Sequence, residues 1–279
     1  MFAPNSGILD FFHKTRYYNT VRTYRNTARG AIMPKIIAHR GVVRKAPQNT
    51  LPAFESAAAL GADGVETDVR MTRDGKVVIC HNIRINAISD GKGSVHKLTL
   101  GEINRHDFGS YYSDAFRGTK MLTLEEFFSY VSRESFNVIN VEIKPQNFRN
   151  SPIALKTLRL AEKYGLADRL IISSFSPKIL RQVKHIDPTC RTALIYPAIG
   201  HYVHRRLISP VRIAKKYGID ALNPEWDYVG RSLVKRAHKL GIEVNPWGAN
   251  SVNKLKKMIS LGVDGLITDA VTEAKELMR

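Results

Sequence analysis

A closed α/β barrel is the fold class that this chain of 279 residues predicts, and three observations carry the prediction. Nine short apolar runs of strand length lie between residues 35 and 269, most of them separated by helix-like stretches, which is the pattern of parallel crossover units. That many units in so short a span favours a barrel closed on itself over an open doubly wound sheet. The third observation is what the strands end in: His39-Arg40, Glu66 and Asp68, His81, and Glu142 with Lys144. A core strand has no structural use for such groups, and one face of a barrel would collect them.

The elements follow in order. KIIAH (35–39) is the first strand. Thr50 is the predicted N-cap of the first helix, with Pro52 in its first turn and Gly61 closing it. DGVETDVRM (63–71) and KVVICH (76–81) are joined by six residues, too few for a crossover helix, and Asp74-Gly75 is a turn signal. They are therefore expected to form a hairpin folded about 73–74, with Glu66 opposite His81, leaving an eight-stranded barrel with one irregular arm. Residues 82–122, rich in Asn, Gly, Ser, Asp and Tyr, form a long insertion on the catalytic face, expected to act as a small cap. The capping sequence Thr123-Leu124-Glu125-Glu126 opens the next helix. NVINVEIK (137–144) is a strand, and helix and strand then alternate: 153–165, LIISSF (170–175), 177–186, RTALIY (191–196), 206–217, IDALNP (219–224), 230–240, IEVNPW (242–247), 251–261, GLITD (265–269) and 271–279.

Composition narrows the function classes. A hydrophobic content of 43% argues for a globular chain. Two cysteines, Cys80 and Cys190, argue against a disulfide framework and suit a reducing compartment, so the cytoplasm is the expected location. No apolar run reaches the length of a membrane span. The net charge of +18 asks for a partner: nucleic acid, an anionic membrane surface or an anionic substrate. Its local concentrations, such as 205–216, 231–239 and 254–257, fall on helix-like segments, where a solvated face is the plainer reading.

Side chains two apart on a strand share a face. Glu66 therefore sides with Asp68, and Asn140 with Glu142 and Lys144. Converging buried carboxylates are costly unless neutralised. A hard divalent ion, Mg²⁺ or Ca²⁺, is the natural neutraliser, the alternative being ion pairs with Arg40 and Lys144. No Cys/His pattern for zinc is present. His39 and His81, ending different strands beside these groups, suit an acid–base pair, although a lone strand histidine is usually a core residue. Two cations beside a metal suit a phosphoryl oxygen. The chemistry implied is metal-assisted phosphodiester cleavage.

The motifs in order are His39-Arg40-Gly41, Pro47-Gln48-Asn49-Thr50, Gly61-Ala62-Asp63, Glu66-Thr67-Asp68-Val69, Thr72-Arg73-Asp74-Gly75, Val78-Ile79-Cys80-His81-Asn82, Glu142-Ile143-Lys144, Ser174-Phe175, Trp247-Gly248-Ala249-Asn250 and Thr268-Asp269. Over residues 35–279 this series resembles the glycerophosphodiester phosphodiesterases. The resemblance implies a TIM barrel with a small insertion after the strand ending at His81. It implies Glu66, Asp68 and Glu142 as metal ligands and His39 and His81 as general acid and base, without saying which is which. It also implies Arg40 and Lys144 on the phosphate, and Trp247 on the wall of the glycerol pocket. The reaction implied releases sn-glycerol 3-phosphate and an alcohol, the nucleophile being water or the substrate's neighbouring hydroxyl. Two positions depart from the family pattern: Gln48 stands where the family has Glu, and Asn82 where it has Asp. Each loses a negative charge near the site while keeping shape and a hydrogen-bonding carbonyl, so catalysis is expected to survive.

Residues 1–34 lie outside the resemblance. They are basic and aromatic, with apolar positions 8, 11, 12, 18 and 21 on one helical face and no continuous secretory core. Three readings stay open: an interfacial helix on anionic lipid at the inner membrane surface, an extra helix on the barrel, or a loose extension. The leading function is a soluble phosphodiesterase acting on small glycerophosphodiesters. The alternative is a membrane-docked lysophospholipase D-like enzyme taking a lysophospholipid. A non-enzymatic anion-binding or nucleic-acid-binding protein is the weakest reading, because the whole proposed site is present, and no nucleic acid is expected as a partner. The sequence leaves the oligomeric state open.

Overall fold

The computed structural model describes residues 33–144, 152–196 and 209–279, within a unit that spans 33–279. All but the last two residues of the 1–34 extension, and the start of the helix expected from 206, lie outside the described residues.

The apolar runs become β1 (Lys35–His39), β2 (Gly64–Met71), β3 (Val77–Ile79), β4 (Val138–Ile143), β5 (Leu170–Ser174), β6 (Arg191–Tyr196), β7 (Ala221–Pro224), β8 (Glu243–Val244) and β9 (Gly265–Thr268). Eight are parallel in the order β8-β7-β6-β5-β4-β2-β1-β9, and β3 pairs with β2 alone, antiparallel. A short irregular junction completes the ring: Asp264 N–H donates to Val244 O at 2.9 Å, and Ile267 N–H to Pro246 O at 2.9 Å. The run 242–247 yields only two ladder residues because Pro246 has no N–H to donate. The result is the eight-stranded barrel with one irregular arm that the spacing predicts.

Around it run α1 (Leu51–Ala59), the one-turn α2 (Leu100–Ile103), α3 (Leu124–Val131), α4 (Ile153–Lys163), α5 (Pro177–Ile186), α6 (Pro210–Tyr217), α7 (Arg231–His238), α8 (Val252–Ser260) and α9 (Val271–Glu276). Among these described helices, none is long and apolar enough to cross a membrane. Thr123 and Glu126 form the capping box at α3. Thr50 occupies the N-cap position of α1, but its hydroxyl donates to Pro47 O at 2.6 Å and does not cap the helix. It braces the loop before the helix.

Two hydrophobic layers hold the barrel. Between strands and helices lie Phe54, Phe127 and Phe128, fully buried, with the Phe54 and Phe127 ring centroids 4.7 Å apart. Inside the barrel Ile37, Val138, Ile171, Ala193, Ala221 and Ile267 form an apolar floor. Residues 82–122 add a small cluster of their own, with Ile85, Val95, Ile103, Phe108 and Met121 packed on Val78 and Cys80. Both cysteines are buried and free.

A repeated device sits at the strand entrances. In Gly61-Ala62-Asp63, Gly218-Ile219-Asp220 and Gly262-Val263-Asp264 a glycine follows the helix, a buried apolar residue follows the glycine, and an aspartate precedes the next strand. Each carboxylate accepts a backbone N–H from a neighbouring strand: Ile36 (2.7 Å), Thr192 (2.8 Å) and Val244 (2.7 Å). The middle residue of the Gly61-Ala62-Asp63 motif is buried, and its aspartate staples strands at the end away from the site. Asp220→Ala leaves the Thr192 N–H without its charged acceptor, so chemical denaturation is expected to show a loss of about 1–2 kcal/mol, with kcat of the folded enzyme unchanged.

One expectation is corrected. The β2–β3 ladder pairs Val69 with Ile79, Arg70 with Val78 and Met71 with Val77, and Cys80 N–H donates to Asp68 O at 2.8 Å. The register is therefore one residue away from the pairing of Glu66 with His81. The cause is the turn. Thr72 N–H donates to Lys76 O, Gly75 N–H to Thr72 O, and Gly75 takes φ 74°, which makes a three-residue loop and not a two-residue one. An odd loop moves the fold axis onto Asp74.

Candidate active site

The C-terminal strand ends bring every sequence-predicted site residue to one cavity of about 170 Å³, lined by His39, Arg40, Glu66, His81, Glu142, Lys144 and Trp247, with Asp68 behind. Glu66 and Asp68 come from β2 and Glu142 from β4, where Asp68 is the ladder partner of Glu142. The three carboxylates are 3%, 1% and 5% exposed, and oxygens from all three lie within 4.8 Å of one another.

Two cations answer them: of the ion pairs weighed as an alternative Lys144 with Glu142 forms, while Arg40 and Lys144 otherwise meet on Asp68, and Arg40 reaches Glu66 through its backbone N–H. Lys144 Nζ is 2.9 Å from Asp68 Oδ1 and 2.6 Å from Glu142 Oε1, and Arg40 Nε is 3.3 Å from Asp68 Oδ2. They do not saturate the cluster. Burial, with the Asp68 charge beside it, raises Glu66 well above the usual carboxylate range despite Arg40. Burial pushes Glu142 up to about 7. Asp68 goes the other way: burial opposes its charge, but Lys144, Arg40 and His81 hold it well below its ordinary value. Asp68 Oδ1 and Glu142 Oε1 have no well-aligned hydrogen-bond donor among the described residues, although the Lys144 ammonium is close. Three hard oxygen donors, with an oxygen of Asp68 and one of Glu142 lacking an aligned donor and with Glu66 and Glu142 raised chiefly by burial, fit a divalent cation.

The backbone at the mouth is held in unusual conformations. Arg40 and Asn49 have φ of 57° and 60°, the left-handed region that non-glycine residues rarely enter. The payoff is contact. Arg40 N–H donates to Glu66 Oε2 at 3.1 Å, and Asn49 N–H to Arg40 O at 2.9 Å. Gly41 follows at φ 78°, where a Cβ would lie 2.6 Å from the Ala53 carbonyl carbon, so the loop can press onto α1 only as glycine.

The two imidazoles sit in different surroundings. His39 Nδ1 lies 2.7 Å from Asp269 Oδ1, and Asn250 Nδ2 donates to the other oxygen of Asp269 at 2.5 Å. Burial raises Asp269, yet His39, Arg40 and Arg44 keep it below its ordinary value. His81 is brought down to about 4, chiefly by burial, so it is neutral at pH 7. Its Nδ1 lies 3.2 Å from Asn82 Oδ1.

Four supporting residues carry no role in the sequence reading. Asn49 donates to Asp68 Oδ2 at 2.9 Å and accepts from the Thr67 hydroxyl at 2.8 Å, fixing the central carboxylate. Arg70 grips the His81 carbonyl through Nε and Nη2 at 3.1 and 2.7 Å. Asp269 and Asn250 orient His39. Asp269 follows the last strand, so the strand-end rule applied to β2 and β4 also reaches it. Asn140 and Ser173, the ladder partners of Glu66 and Glu142, and Asn223 on the cavity wall hold buried polar atoms with no partner among the described residues. Phe175, Ile195, Trp247 and Ile267 form the apolar wall of the cavity.

A cavity that pairs buried carboxylates and two imidazoles with an arginine and a lysine, on the catalytic face of a parallel barrel, defines a phosphoric diester hydrolase. The model of the Glycerophosphoryl diester phosphodiesterase family matches residues 39–273, and the chain belongs to that family. A glycerophosphodiester phosphodiesterase of Caldanaerobacter subterraneus subsp. tengcongensis is 34% identical over 234 residues, covering 84% of this chain and 93% of the relative. Among solved structures, a putative glycerophosphodiester phosphodiesterase from Galdieria sulphuraria superposes with a TM-score of 0.78 at 25% identity, over 90% of this chain and 99% of that one. An Oleispira antarctica phosphodiesterase, solved in complex with the product sn-glycerol-3-phosphate, gives 0.74 at 24% identity, over 88% and 97%.

Proposed function

We propose that this chain hydrolyses glycerophosphodiesters to sn-glycerol 3-phosphate and an alcohol, with a divalent ion held by Glu66, Asp68 and Glu142 and with His39 and His81 as the acid–base pair. The observation that carries the reading is the convergence of those five residues with Arg40 and Lys144 on one small cavity. The product complex of the Oleispira phosphodiesterase supports a glycerol phosphate in a site of this fold. When bound, the ion supplies Lewis-acid stabilisation of charge on the phosphoryl oxygens.

The remaining steps belong to the side chains. Arg40 and Lys144 turn from the carboxylates toward the phosphate oxygens, whose charge grows in the transition state. Asp269 holds His39 by Nδ1, which leaves Nε2 to face the cavity, and Asn82 does the same for His81. One imidazole removes the proton of the nucleophile, which is water or the substrate's neighbouring hydroxyl, and the other protonates the departing alkoxide; on the second route water then opens the cyclic phosphate to sn-glycerol 3-phosphate. The wall of Phe175, Ile195 and Trp247 offers a carbon backbone of glycerol size an apolar seat.

The test is release of the alcohol from a panel of glycerophosphodiesters and from one lysophospholipid, run with Mg²⁺, with Ca²⁺ and with EDTA, with sn-glycerol 3-phosphate as the second product of the diesters and an acylglycerol phosphate as that of the lysophospholipid. Release from the water-soluble diesters with either ion, and none with EDTA, is expected. Cleavage of the lysophospholipid alone would move the assignment to the lysophospholipase D-like alternative. Asn49→Ala removes the group that orients Asp68, so the ion concentration giving half-maximal activity is expected to rise by about 10–100-fold. A metal titration of activity checks it.

A further inference from the structure

The basic excess behind the net charge of +18 is not spread evenly over the barrel's helices. Four consecutive helices of the outer ring, α5 to α8, read PKILRQVKHI, PVRIAKKY, RSLVKRAH and VNKLKKMIS. Each holds three lysines or arginines and no aspartate or glutamate. By contrast α1, α2, α3, α4 and α9 each carry at least one glutamate. Strands β5 to β8 are neighbours in the barrel, so the helices that follow them stand side by side. Resting on the function proposed above, we infer that the outer face of α6, α7 and α8 docks the protein on a membrane surface rich in anionic phospholipid.

On this face Lys215, Lys216, Lys235, Arg236, Lys256 and Lys257 are exposed, and none is paired with a carboxylate among the described residues. The acids at the strand entrances beside it are engaged elsewhere: Asp220 with Lys184 at 2.7 Å, Glu243 with Arg191 at 2.6 Å and Asp264 with His238 at 2.8 Å. Glu225 and Asp227, in the loop before α7, offset at most two of the nine cations on the three helices. The next helix, α9, brings Glu273 and Glu276 and ends the face. Such a field repels itself and attracts an anionic partner. Residues 1–34 do not supply one, with five basic residues against Asp10 alone, and two copies of the face repel each other. Packed helices stand about 8–10 Å apart, so three of them spread their cations in two dimensions, as anionic head groups are spread. A nucleic acid presents its phosphates in strands instead. The chemistry of supply agrees. A glycerophosphodiester is what a glycerophospholipid leaves when both acyl chains are hydrolysed off, so the supplying reaction is a deacylation at a lipid surface. The face lies on the flank of the barrel, which leaves the cavity mouth open to soluble diesters. Docking is electrostatic. Val252 and Leu240, 41% and 43% exposed, sit at the start of α8 and past the end of α7, at opposite ends of the barrel, and form no apolar stripe. The half-buried Trp226 lies under Lys254 and Lys257, with Nζ 4.3 and 5.3 Å from its ring centroid, and adds an aromatic suited to an interface.

The experiment is cosedimentation of the full chain with vesicles of phosphatidylcholine alone and of an equimolar mixture of phosphatidylcholine and phosphatidylglycerol. Binding to the mixed vesicles only is expected, weakening steeply with salt as the screening length falls below about 10 Å. Lys215→Gln, Lys216→Gln, Lys235→Gln and Lys256→Gln, combined, are expected to lower the partition coefficient by about a hundredfold or more, at about fivefold per cation. Hydrolysis of a soluble diester by this variant is expected to be unchanged, which also shows that it folds. The same charge removed elsewhere, by Lys92→Gln, Lys97→Gln, Arg105→Gln and Arg133→Gln combined, is expected to cost far less. No binding to the mixed vesicles, or equal losses in the two variants, would overturn the docking face. Tighter binding of duplex RNA than of the mixed vesicles at the same salt, abolished by the α6–α8 substitutions, would make the partner a nucleic acid and overturn the lipid assignment. Sedimentation and hydrolysis are separate measurements, so an unaltered chain that binds vesicles but cleaves no diester would overturn the function proposed above and leave the docking face standing.

Discussion

Replacing Asp68 by asparagine is expected to lower kcat by about three orders of magnitude or more, the several kcal/mol that a Lewis-acid ion gives a phosphoryl transition state. Asp68 is the hub of the cluster. It meets Lys144, Arg40 and Asn49, is 1% exposed, and of the three carboxylates it alone is held strongly ionised. A readout independent of activity accompanies this. At a hundred times its dissociation constant the ion contributes about 2.7 kcal/mol to folding, which raises Tm by roughly 5–10 °C for a chain of this size. The rise should appear in the native protein and vanish in Asp68→Asn. Its pH dependence has a definite sign. Glu66 and Glu142 are raised in the folded state, so without the ion they bind more protons folded than unfolded. The stability this gives is present below the ordinary glutamate value and is lost as pH rises through about 7, the value for Glu142. The ion replaces those protons, so the Tm increase it causes should grow between about pH 5 and pH 8. Differential scanning fluorimetry with and without Mg²⁺ or Ca²⁺ across that range checks both statements.

The second large effect falls on the imidazoles. His39→Ala and His81→Ala are each expected to lower kcat by about 10²–10⁴-fold, the usual worth of a positioned proton-transfer group. The fold should survive, because both side chains lie at the cavity, His39 at the end of β1 and His81 two residues past β3, and neither joins the apolar layers. Asp269→Asn is expected to cost less than His39→Ala and to act mainly on kcat, since Asp269 acts through the His39 ring that it positions. Steady-state kinetics on one diester at saturating metal distinguishes these outcomes. Full activity in either histidine variant would remove that residue from the acid–base pair.

The barrel was legible because its strands are buried on both faces and read as near-continuous apolar runs, and because a polar residue at the end of such a run has no structural explanation. Strand alternation was enough to put Glu66 beside Asp68 and Glu142 beside Asn140 and Lys144, since a period of two allows no other face within a strand, and the motif series joined the two sets. The hairpin register was not legible. Asp74-Gly75 marks a turn but not whether two or three residues form it, and that single residue decides whether Glu66 or Thr67 lies across from His81. The supporting residues differ in how far the sequence reveals them. Asp269 follows the last strand and falls under the same strand-end rule, but its partner His39 is 230 residues away, and Asn49 lies in a loop 19 residues from Asp68; side-chain pairing over such separations leaves no periodic trace. The same holds for Tyr111 and Tyr112, whose place beside Gln48 depends on how the insertion folds back.

The central claim is that three buried carboxylates hold one divalent ion on which diester hydrolysis depends. Isothermal titration of metal-stripped protein with Mg²⁺ or Ca²⁺, followed by activity at each point of the titration, tests it most directly. The account predicts a single binding event at one ion per chain, activity rising in parallel with it, and loss of both in Asp68→Asn. Undiminished hydrolysis by the metal-stripped protein, or an ion that still binds in Asp68→Asn and restores full activity, would contradict it.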